Sequence, residues 1–298
     1  MAAPEHVAII GFGEVGRIFA RDLKALGVGT IAAFDPLFAD PASGPSRAAA
    51  EQGVIACGSA PEAVVGASLV VSAVTAAQAL AAARSALGGL GQGAYVLDVN
   101  SASPRVKAQA SRDVDAAGGR YVEAAVMTSV PPKGLKSAML LGGLHAEGFI
   151  KWAAPLGLEA KFCSADVGVA SATKMCRSVM IKGTEALLAE CLLTARHYGV
   201  EKAVLGSLGD MLPNPDWEKL ARYMISRSLI HGRRRAEEMR EVARTVEDAG
   251  VDPWMSSAAA ERQDWAARTA KDMDRADIDG TDLYPFLDAI IAAMKAED

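Results

Sequence analysis

The first half of the chain alternates short, uninterrupted apolar runs with segments of helical periodicity. The apolar runs predict strands at residues 7–10, 30–34, 69–71, 95–97 and 121–124, followed by two more short strands at residues 138–141 and 158–162. Strands that alternate with helices are typical of βαβ units in a parallel sheet. Such strands are covered on both faces, which explains why they are apolar throughout. The pattern therefore predicts an α/β domain with a mostly parallel sheet.

The pattern changes beyond Asp166, where strand signals almost disappear. Apolar side chains recur at helical spacing from residue 169 to about residue 198, and Gly199 supplies a stop signal. More helices are predicted at residues 202–211, 216–228, 233–249, 256–276 and 283–295. We therefore expect residues 1–165 to form the α/β domain and residues 166–298 to form an all-α domain, connected by a long interdomain helix.

Composition and charge narrow the classes of partner and compartment. The formal net charge is −5, and the chain lacks the basic face that nucleic-acid binding requires. Its longest uncharged stretch lies between Glu62 and Arg84; this stretch is rich in Ala, Ser, Thr and Gln and is a poor membrane span. The four cysteines form no CxxC pair, so no metal site is expected. The sequence begins without a secretory signal pattern, so we expect a cytoplasmic protein. From the charge and the poor membrane span we expect neither a nucleic-acid partner nor a membrane partner.

A glycine-rich turn directly follows the first predicted strand. It reads Gly11-Phe12-Gly13-Glu14-Val15-Gly16 and opens a helix, which is the context in which GxGxxG predicts a dinucleotide-binding Rossmann domain. Gly11 permits the tight turn, Gly13 allows the pyrophosphate to approach the backbone, and Gly16 allows close packing of helix on strand. The free N–H groups and partial positive charge of the helix N-terminus favour phosphate there.

An acidic residue ends the second predicted strand. Asp35 lies in the window of about twenty residues after the turn in which a carboxylate binds the adenosine ribose. This carboxylate would repel a 2′-phosphate, and the nearest downstream arginine is Arg47. These features favour NAD over NADP as the cofactor. The alternative is that Asp35 merely caps the turn before Pro36.

Three polar segments follow later strands, at the sheet edge where the nicotinamide lies in such domains. They supply candidates for cofactor and substrate binding: Val74, Thr75, Asn100, Ser101, Thr128 and Ser129. Asn100 is a candidate for both ligands. Hydride transfer to or from a carbonyl also requires a group that moves a proton on the oxygen.

Lys174 is the most informative single residue of the helical half. It lies near the start of the long predicted helix, among small and apolar residues. A lysine in such surroundings is directed either outward to solvent or inward for a function. Ser178 follows one turn later on the same helix face. The pattern alone leaves both orientations of Lys174 open.

Together these motifs resemble the β-hydroxyacid dehydrogenase family, which includes 3-hydroxyisobutyrate and 6-phosphogluconate dehydrogenases. The matching pieces are the glycine-rich turn, the turn from Asp98 to Pro104, the segment after the sixth strand, and the glycine-to-lysine motif that ends at Lys174. The resemblance extends over the whole chain. It implies that Lys174 is the catalytic lysine and that the protein forms a homodimer through its helical domain.

The chain departs from the family pattern at three places. Ser178 stands where members usually carry Asn, and Met127-Thr128-Ser129 replaces a Ser-Gly-Gly that holds the substrate carboxylate. The segment with His231 and Arg233-Arg234-Arg235 resembles a less characterised, 6-phosphogluconate dehydrogenase-like branch with its own C-terminal domain type. These departures imply a substrate different from those of the well-known members.

The function predicted from these features is NAD-dependent hydride transfer between the nicotinamide and a small-molecule hydroxy acid or polyol acid. Neutral Lys174 would take the hydroxyl proton, and Ser178 would hold Lys174 or the reacting oxygen. Arg177 and His231 are candidates for holding the substrate, while a solvated helix face is the simpler interpretation of the basic run 233–235.

Three alternatives to this function stay open. The first is an NADPH-dependent imine or carbonyl reductase on the same scaffold, against which both Asp35 and Lys174 argue. The second is a decarboxylating phosphogluconate-type dehydrogenase, for which the sequence shows no dedicated phosphate pocket. The third is a non-enzymatic NAD-binding sensor, which loss of the lysine would have favoured.

Overall fold

A computed structural model describes residues 4–211 and 216–296 of the chain, and the strands in these ranges form one sheet. In chain order they are β1 (His6–Ile10), β2 (Thr30–Phe34), β3 (Ile55–Ala56), β4 (Leu69–Ser72), β5 (Tyr95–Asp98), β6 (Arg120–Val126), β7 (Met139–Gly142) and β8 (Ala160–Ser164). Their order across the sheet is β3-β2-β1-β4-β5-β6-β7-β8. Every neighbouring pair is parallel except β6 and β7, which confirms the predicted mostly parallel sheet.

Both faces of this sheet are covered, as the unbroken apolar strands predict. Along β1, Val7 and Ile9 belong to one buried cluster, whereas Ala8 and Ile10 belong to a second cluster on the other face. The helices that accompany the strands are α1 (Glu14–Ala25), α2 (Gly44–Gln52), α3 (Ala60–Val64), α4 (Ala79–Ala86), α5 (Pro104–Ala116) and α6 (Ala146–Trp152). The short strand β3 is absent from the sequence-based prediction, because two residues give no periodicity.

The second half of the chain is helical, also as predicted. The long helix α7 (Val169–Tyr198) is followed by Gly199, whose φ is +71°. The later helices are α8 (Glu201–Met211), α9 (Trp217–Asp248), α10 (Trp254–Thr269), α11 (Arg275–Asp279) and α12 (Leu283–Ala296). Among the described residues, no helix is long and apolar enough to cross a membrane.

Helix α9 differs from its prediction, which placed two helices at residues 216–228 and 233–249. The structure instead has one helix of 32 residues that passes through Gly232. A Cβ on Gly232 would lie 2.4 Å from Gln263 O on α10. This glycine therefore permits close contact between two helices, and tertiary packing overrides its low helix propensity. The single helix predicted at residues 256–276 was also wrong, since α10 ends at Thr269 and α11 is separate.

The chain divides into two compact units, Met1–Met175 and Cys176–Asp298. The sequence placed the domain boundary at 165/166, where the sheet ends, whereas this division falls inside α7. The first unit contains the whole sheet and the first turns of α7. The second unit has its own apolar cluster, built on residues such as Leu192, Ile225 and Leu287.

Candidate active site

Three strand ends meet at the glycine-rich turn. Because β1 lies between β2 and β4, the strand order reverses here, which is where ligands bind in open α/β sheets. Gly11 has a φ of +92°, and a Cβ on it would lie 2.4 Å from Ala73 O after β4. Its N–H donates to Phe34 O of β2 at 2.9 Å. Position 11 therefore requires glycine, because its φ is positive and because a Cβ would clash with the Ala73 carbonyl oxygen.

The other two glycines of the turn have opposite surroundings. A Cβ on Gly16 would lie 2.1 Å from Gly11 O, so glycine lets α1 begin close against the turn. A Cβ on Gly13 would meet no atom within 4 Å. Gly13 is the N-cap of α1, and no side chain caps the helix there. An uncapped helix N-terminus next to open space fits a pyrophosphate group.

The side chains around the turn divide between core and surface. Phe12 is buried and packs on Phe38, with 5.7 Å between the ring centroids. Val15 is half-buried, and Glu14 is exposed. The Arg17 Nε donates to Gly13 O at 3.1 Å, so this side chain folds back toward the turn.

Asp35 has two backbone partners. Its Oδ2 accepts from Phe12 N at 2.8 Å, and its Oδ1 accepts from Leu37 N at 2.9 Å. The second contact is the turn cap that the sequence left open as an alternative. The first contact ties the carboxylate to the glycine-rich turn. Since an ionised carboxylate has about four acceptor sites, these contacts leave capacity for a ribose hydroxyl.

Asn100 links the segments that follow β4 and β5. Its Oδ1 accepts from Val74 N at 2.6 Å, and its Nδ2 donates to Ser72 Oγ at 2.9 Å. The residue is only 4% exposed. Asn100 therefore fixes the loop beside Gly11, and its contribution to substrate binding stays a prediction.

Lys174 is directed inward within the first unit. Its Nζ donates to Ser101 Oγ at 2.6 Å, and both residues are half-buried. The lysine is therefore connected to the glycine-rich turn: Val74 lies beside Gly11 and donates to Asn100, and the next residue, Ser101, accepts from Lys174. A lysine amine and a serine hydroxyl in this position are suited to moving a proton and orienting an oxygen.

A buried network lies beneath Ser101. The Asp98 Oδ1 accepts from Asn100 N at 2.9 Å and from Lys107 Nζ at 2.8 Å. The Asp98 Oδ2 accepts from Tyr121 OH at 2.7 Å. Burial, followed by the charge of Asp98, raises the pKa of Tyr121 well above its usual value, so its hydroxyl remains a donor.

Glu123 on β6 is the second buried carboxylate at this edge. It is 0% exposed. Its Oε2 accepts from Gly168 N and its Oε1 accepts from Ser171 N, each at 2.7 Å. The carboxylate thus holds the start of α7, the helix that carries Lys174.

Comparison with known proteins agrees with this geometry. Residues 6–147 match the NAD binding domain of 6-phosphogluconate dehydrogenase, and residues 195–266 match a domain of unknown function (DUF1932). A conserved hypothetical protein from Sinorhizobium meliloti 1021 is 35% identical over 97% of this chain and 96% of its own, with a TM-score of 0.74. A conserved protein of unknown function, described as structurally similar to 3-hydroxyacid dehydrogenases, is 33% identical over 89% of this chain and 98% of its own, with a TM-score of 0.69.

The chain belongs to the β-hydroxyacid dehydrogenase family. Within this family it falls in the divergent branch whose C-terminal domain is of the DUF1932 type. Mycobacterium tuberculosis 3-hydroxyisobutyrate dehydrogenase, solved with L-serine, shares the fold at 20% identity, covering 97% of this chain and 99% of its own with a TM-score of 0.70. The chain is accordingly an NAD(P)-binding oxidoreductase related to the 3-hydroxyacid dehydrogenases.

Three further candidate residues, from the segments that follow β4 and β6, lie at the surface of the first unit. Thr75 is exposed at the start of the turn after β4. Thr128 and Ser129 are exposed in the segment that follows β6. Ser129 O accepts a hydrogen bond from Ser137 Oγ at 3.4 Å. The role of Thr75 toward the cofactor and the roles of Thr128 and Ser129 toward the substrate stay predictions.

Arg177 and Ser178 belong to the second unit. Arg177 is exposed on α7. Ser178, which replaces the usual Asn of the family, is 8% exposed and accepts from Lys182 Nζ at 3.3 Å. Lys182 also pairs with Glu238 at 2.7 Å. The hydroxyl of Ser178 therefore has a partner within the second unit.

His231 lies half-buried on α9 beside several arginines. Burial, followed by the charges of Arg227, Arg234 and Arg235, lowers its pKa to about 4, so the ring is neutral at physiological pH. A solvated helix face was the wrong interpretation for part of the adjacent basic run. Arg235 is 6% exposed and pairs with Glu185 of α7.

Sequence reasoning missed five residues that support the site. They are Asp98, Lys107, Tyr121, Glu123 and, at the glycine-rich turn, Arg17. One signal was available, because a single glutamate within the apolar run of β6 is costly to bury without partners. The partners themselves come from distant segments and have no local pattern.

Proposed function

We propose that this protein is an NAD-dependent dehydrogenase that oxidises a hydroxy acid or polyol acid, with Lys174 as its general acid–base. The observation that carries the proposal is the 2.6 Å hydrogen bond between Lys174 Nζ and Ser101 Oγ. It places an amine at the sheet edge where the glycine-rich turn also lies. Bound NAD⁺ supplies a hydride acceptor there.

Residues of this chain are proposed to bind the cofactor, to transfer the proton and to orient the substrate. The N–H groups at the start of α1 hold the pyrophosphate at Gly13, and Asp35 accepts from the adenosine ribose. In its neutral form Lys174 takes the proton of the substrate hydroxyl, and in the reverse direction its ammonium returns that proton. Ser101 orients the reacting oxygen, and Thr128 and Ser129 contact the rest of the substrate.

NAD is the proposed cofactor, with NADP bound less well. A carboxylate at the end of β2 repels a 2′-phosphate, and Asp35 is held in place there by Phe12 N and Leu37 N. The nearest downstream arginine, Arg47, donates instead to Ala42 O at 2.7 Å. This contact uses one of the five N–H donors of its guanidinium.

The second unit is proposed to form a homodimer in the cytoplasm. Arg177, Ser178 and His231 are the candidates for substrate contacts. Exposed apolar side chains on the helices of this unit, such as Met180, Leu187 and Met255, offer a surface for a second copy. A monomeric mass by light scattering at micromolar concentration would contradict the dimer.

The direct test compares Lys174→Ala with wild type in NAD⁺ reduction over a panel of hydroxy acids. We expect kcat to fall by about 10²- to 10⁴-fold, the usual contribution of a general acid–base group. Lys161→Ala, an exposed lysine on β8, is the matched control and is expected to keep wild-type turnover. If Lys174→Ala retained more than about a tenth of wild-type kcat, the role given to this lysine would be wrong.

A further inference from the structure

We propose that Glu123 is a positioning residue that sets the reach of Lys174 toward Ser101, an inference that rests on the proposed function of Lys174. Glu123 lies two strand positions beyond Tyr121, in the interior of β6. Its two hydrogen bonds go to Gly168 N and Ser171 N, neither of which is assigned to the substrate or the cofactor. Its influence on turnover would pass through the helix that it holds.

The two hydrogen bonds of Glu123 both reach the beginning of α7. Oε2 accepts from Gly168 N and Oε1 accepts from Ser171 N, each at 2.7 Å. Among the described residues, no lysine, arginine or histidine forms an ion pair with it. A fully buried carboxylate without such a pair must be compensated by its donors, and two backbone N–H groups at the positive end of a long helix do so.

The surrounding backbone leaves room for this carboxylate. A Cβ on Gly142 of β7 would lie 2.7 Å from Glu123 Oε2. Gly168, which donates to the same oxygen, has a φ of +107°. Glycines therefore stand on two sides of the carboxylate, and both allow its short contact with the helix start.

The helix start controls the position of the lysine. Lys174 follows Ser171 by three residues, which is one helical turn. Any rotation or shift of the first turn is therefore carried directly to the Lys174 side chain. The hydrogen bond from Lys174 Nζ to Ser101 Oγ depends on that placement.

The opposite partner of this hydrogen bond is held in the same way. Asp98 pairs in register with Glu123 across β5 and β6. Asp98 accepts from Asn100 N at 2.9 Å and thereby fixes the turn that carries Ser101. Two neighbouring buried carboxylates thus orient the two halves of one contact, Asp98 the hydroxyl side and Glu123 the amine side.

The test uses Glu123→Gln, with Asp22→Asn as the matched control. Asp22 also accepts a backbone hydrogen bond, from Leu135 N at 3.0 Å, but lies on α1 away from the lysine. In Glu123→Gln one of the two N–H groups loses its acceptor. We expect kcat to fall at least about tenfold, since small misplacements of reacting groups can lower rates by about 10²-fold. NADH affinity should stay within about threefold of wild type, because the glycine-rich turn is unchanged.

Two readouts separate positioning from loss of folded structure. Adding Glu123→Gln to Lys174→Ala should lower kcat no further, because both changes act through the same amine. The amides of residues 168–174 should exchange faster, and Lys174 should change its rate of reaction with an amine-modifying reagent, measured by mass spectrometry. These last readouts do not depend on turnover, so they test Glu123 even if Lys174→Ala proves active.

The proposal is overturned if Glu123→Gln keeps kcat within about twofold of wild type. It is also overturned if the double variant is slower than Lys174→Ala by a further tenfold, or if Asp22→Asn shows the same loss and the same change in lysine reactivity. Should Glu123→Gln fail to fold, Glu123→Asp takes its place. This variant keeps the charge but shortens the side chain by one methylene, and the same outcomes apply to it.

Discussion

The two units bury charged side chains in different ways. In the first unit, Asp98 pairs with Lys107 and also accepts from Asn100 N, and Glu123 accepts two backbone N–H groups, so these two carboxylates hold a turn and a helix start. In the second unit, Glu185 pairs with Arg235, and Glu238 pairs with Lys182, each joining α7 to α9. A carboxylate that accepts backbone N–H groups fixes the turn or helix start that it binds, whereas an ion pair between two helices fixes their packing. Substitutions of Asp98 and Glu123 should therefore act mainly on function, and substitutions in the ion pairs between α7 and α9 mainly on stability.

The largest expected effect of these four predictions is in the second unit. Glu185→Ala leaves Arg235 buried without its partner, which should lower the free energy of unfolding by about 3–5 kcal/mol in urea titrations. Asp279→Ala, which breaks the exposed pair with Arg275, is the control and should cost less than about 1 kcal/mol. Replacing both partners, Glu185→Leu with Arg235→Met, should restore most of the loss. If Glu185→Ala lowered the free energy of unfolding no more than the control does, the stabilising role given to the ion pairs of the second unit would be wrong.

Two glycines sharpen the comparison within the first unit. Gly16→Ala places a Cβ against Gly11 O and should lower the free energy of unfolding by about 1–3 kcal/mol. Gly13→Ala meets no protein atom, so stability should change by less than about 0.5 kcal/mol while NADH affinity falls about tenfold or more. Urea unfolding and calorimetric titration of NADH measure the two quantities. If the NADH affinity of Gly13→Ala were unchanged, the pyrophosphate would not bind at this turn.

Asp35→Asn tests how a backbone-held carboxylate acts on the cofactor. Removing the charge relieves the repulsion of a 2′-phosphate, and hydrogen bonds to a charged group are worth about 1.5–3 kcal/mol. We expect the ratio of NADH to NADPH affinity to fall by about tenfold. Asp40→Asn is the control, because Asp40 caps a nearby turn through Ala42 N. An unchanged ratio would mean that Asp35 serves only the two backbone contacts.

The smallest expected effect concerns His231. Its pKa is about 4 in the folded protein against 6.5 for the free side chain, because burial and the neighbouring arginines disfavour the charged ring. The unfolded chain therefore binds a proton between pH 6.5 and 4 that the folded protein does not. Stability should fall as pH is lowered through this window, and His231→Gln should flatten that part of the profile. An identical pH dependence in wild type and variant would contradict the shifted pKa.

The sequence predicted most of what local patterns encode. The glycine-rich turn, the parallel strands and the limits of α7 follow from residue spacing, and they were confirmed. The sequence-based prediction divided α9 between residues 228 and 233, a stretch that contains Gly232, and a glycine that breaks a helix looks the same in sequence as one that admits a neighbouring helix. The partners of Glu123 lie 45 and 48 residues away along the chain, so only the fold reveals what that carboxylate does.

The inward direction of Lys174 shows the same limit. Its surroundings in sequence left two orientations open, and the contact with Ser101 lies 73 residues away along the chain. The family resemblance pointed to this lysine before any geometry did. The sequence also left open whether Asp35 accepts from the ribose or caps the turn. In the structure one carboxylate oxygen accepts from Leu37 N of that turn and the other accepts from Phe12 N of the glycine-rich turn.

The most direct test of the account is a calorimetric titration of the wild-type protein with NADH and, separately, with NADPH. We expect saturable binding of NADH and clearly weaker binding of NADPH, as the glycine-rich turn and Asp35 require. Tighter binding of NADPH would contradict the role of Asp35 and favour a reductase. Binding of neither nucleotide would contradict the proposed dehydrogenase function as a whole.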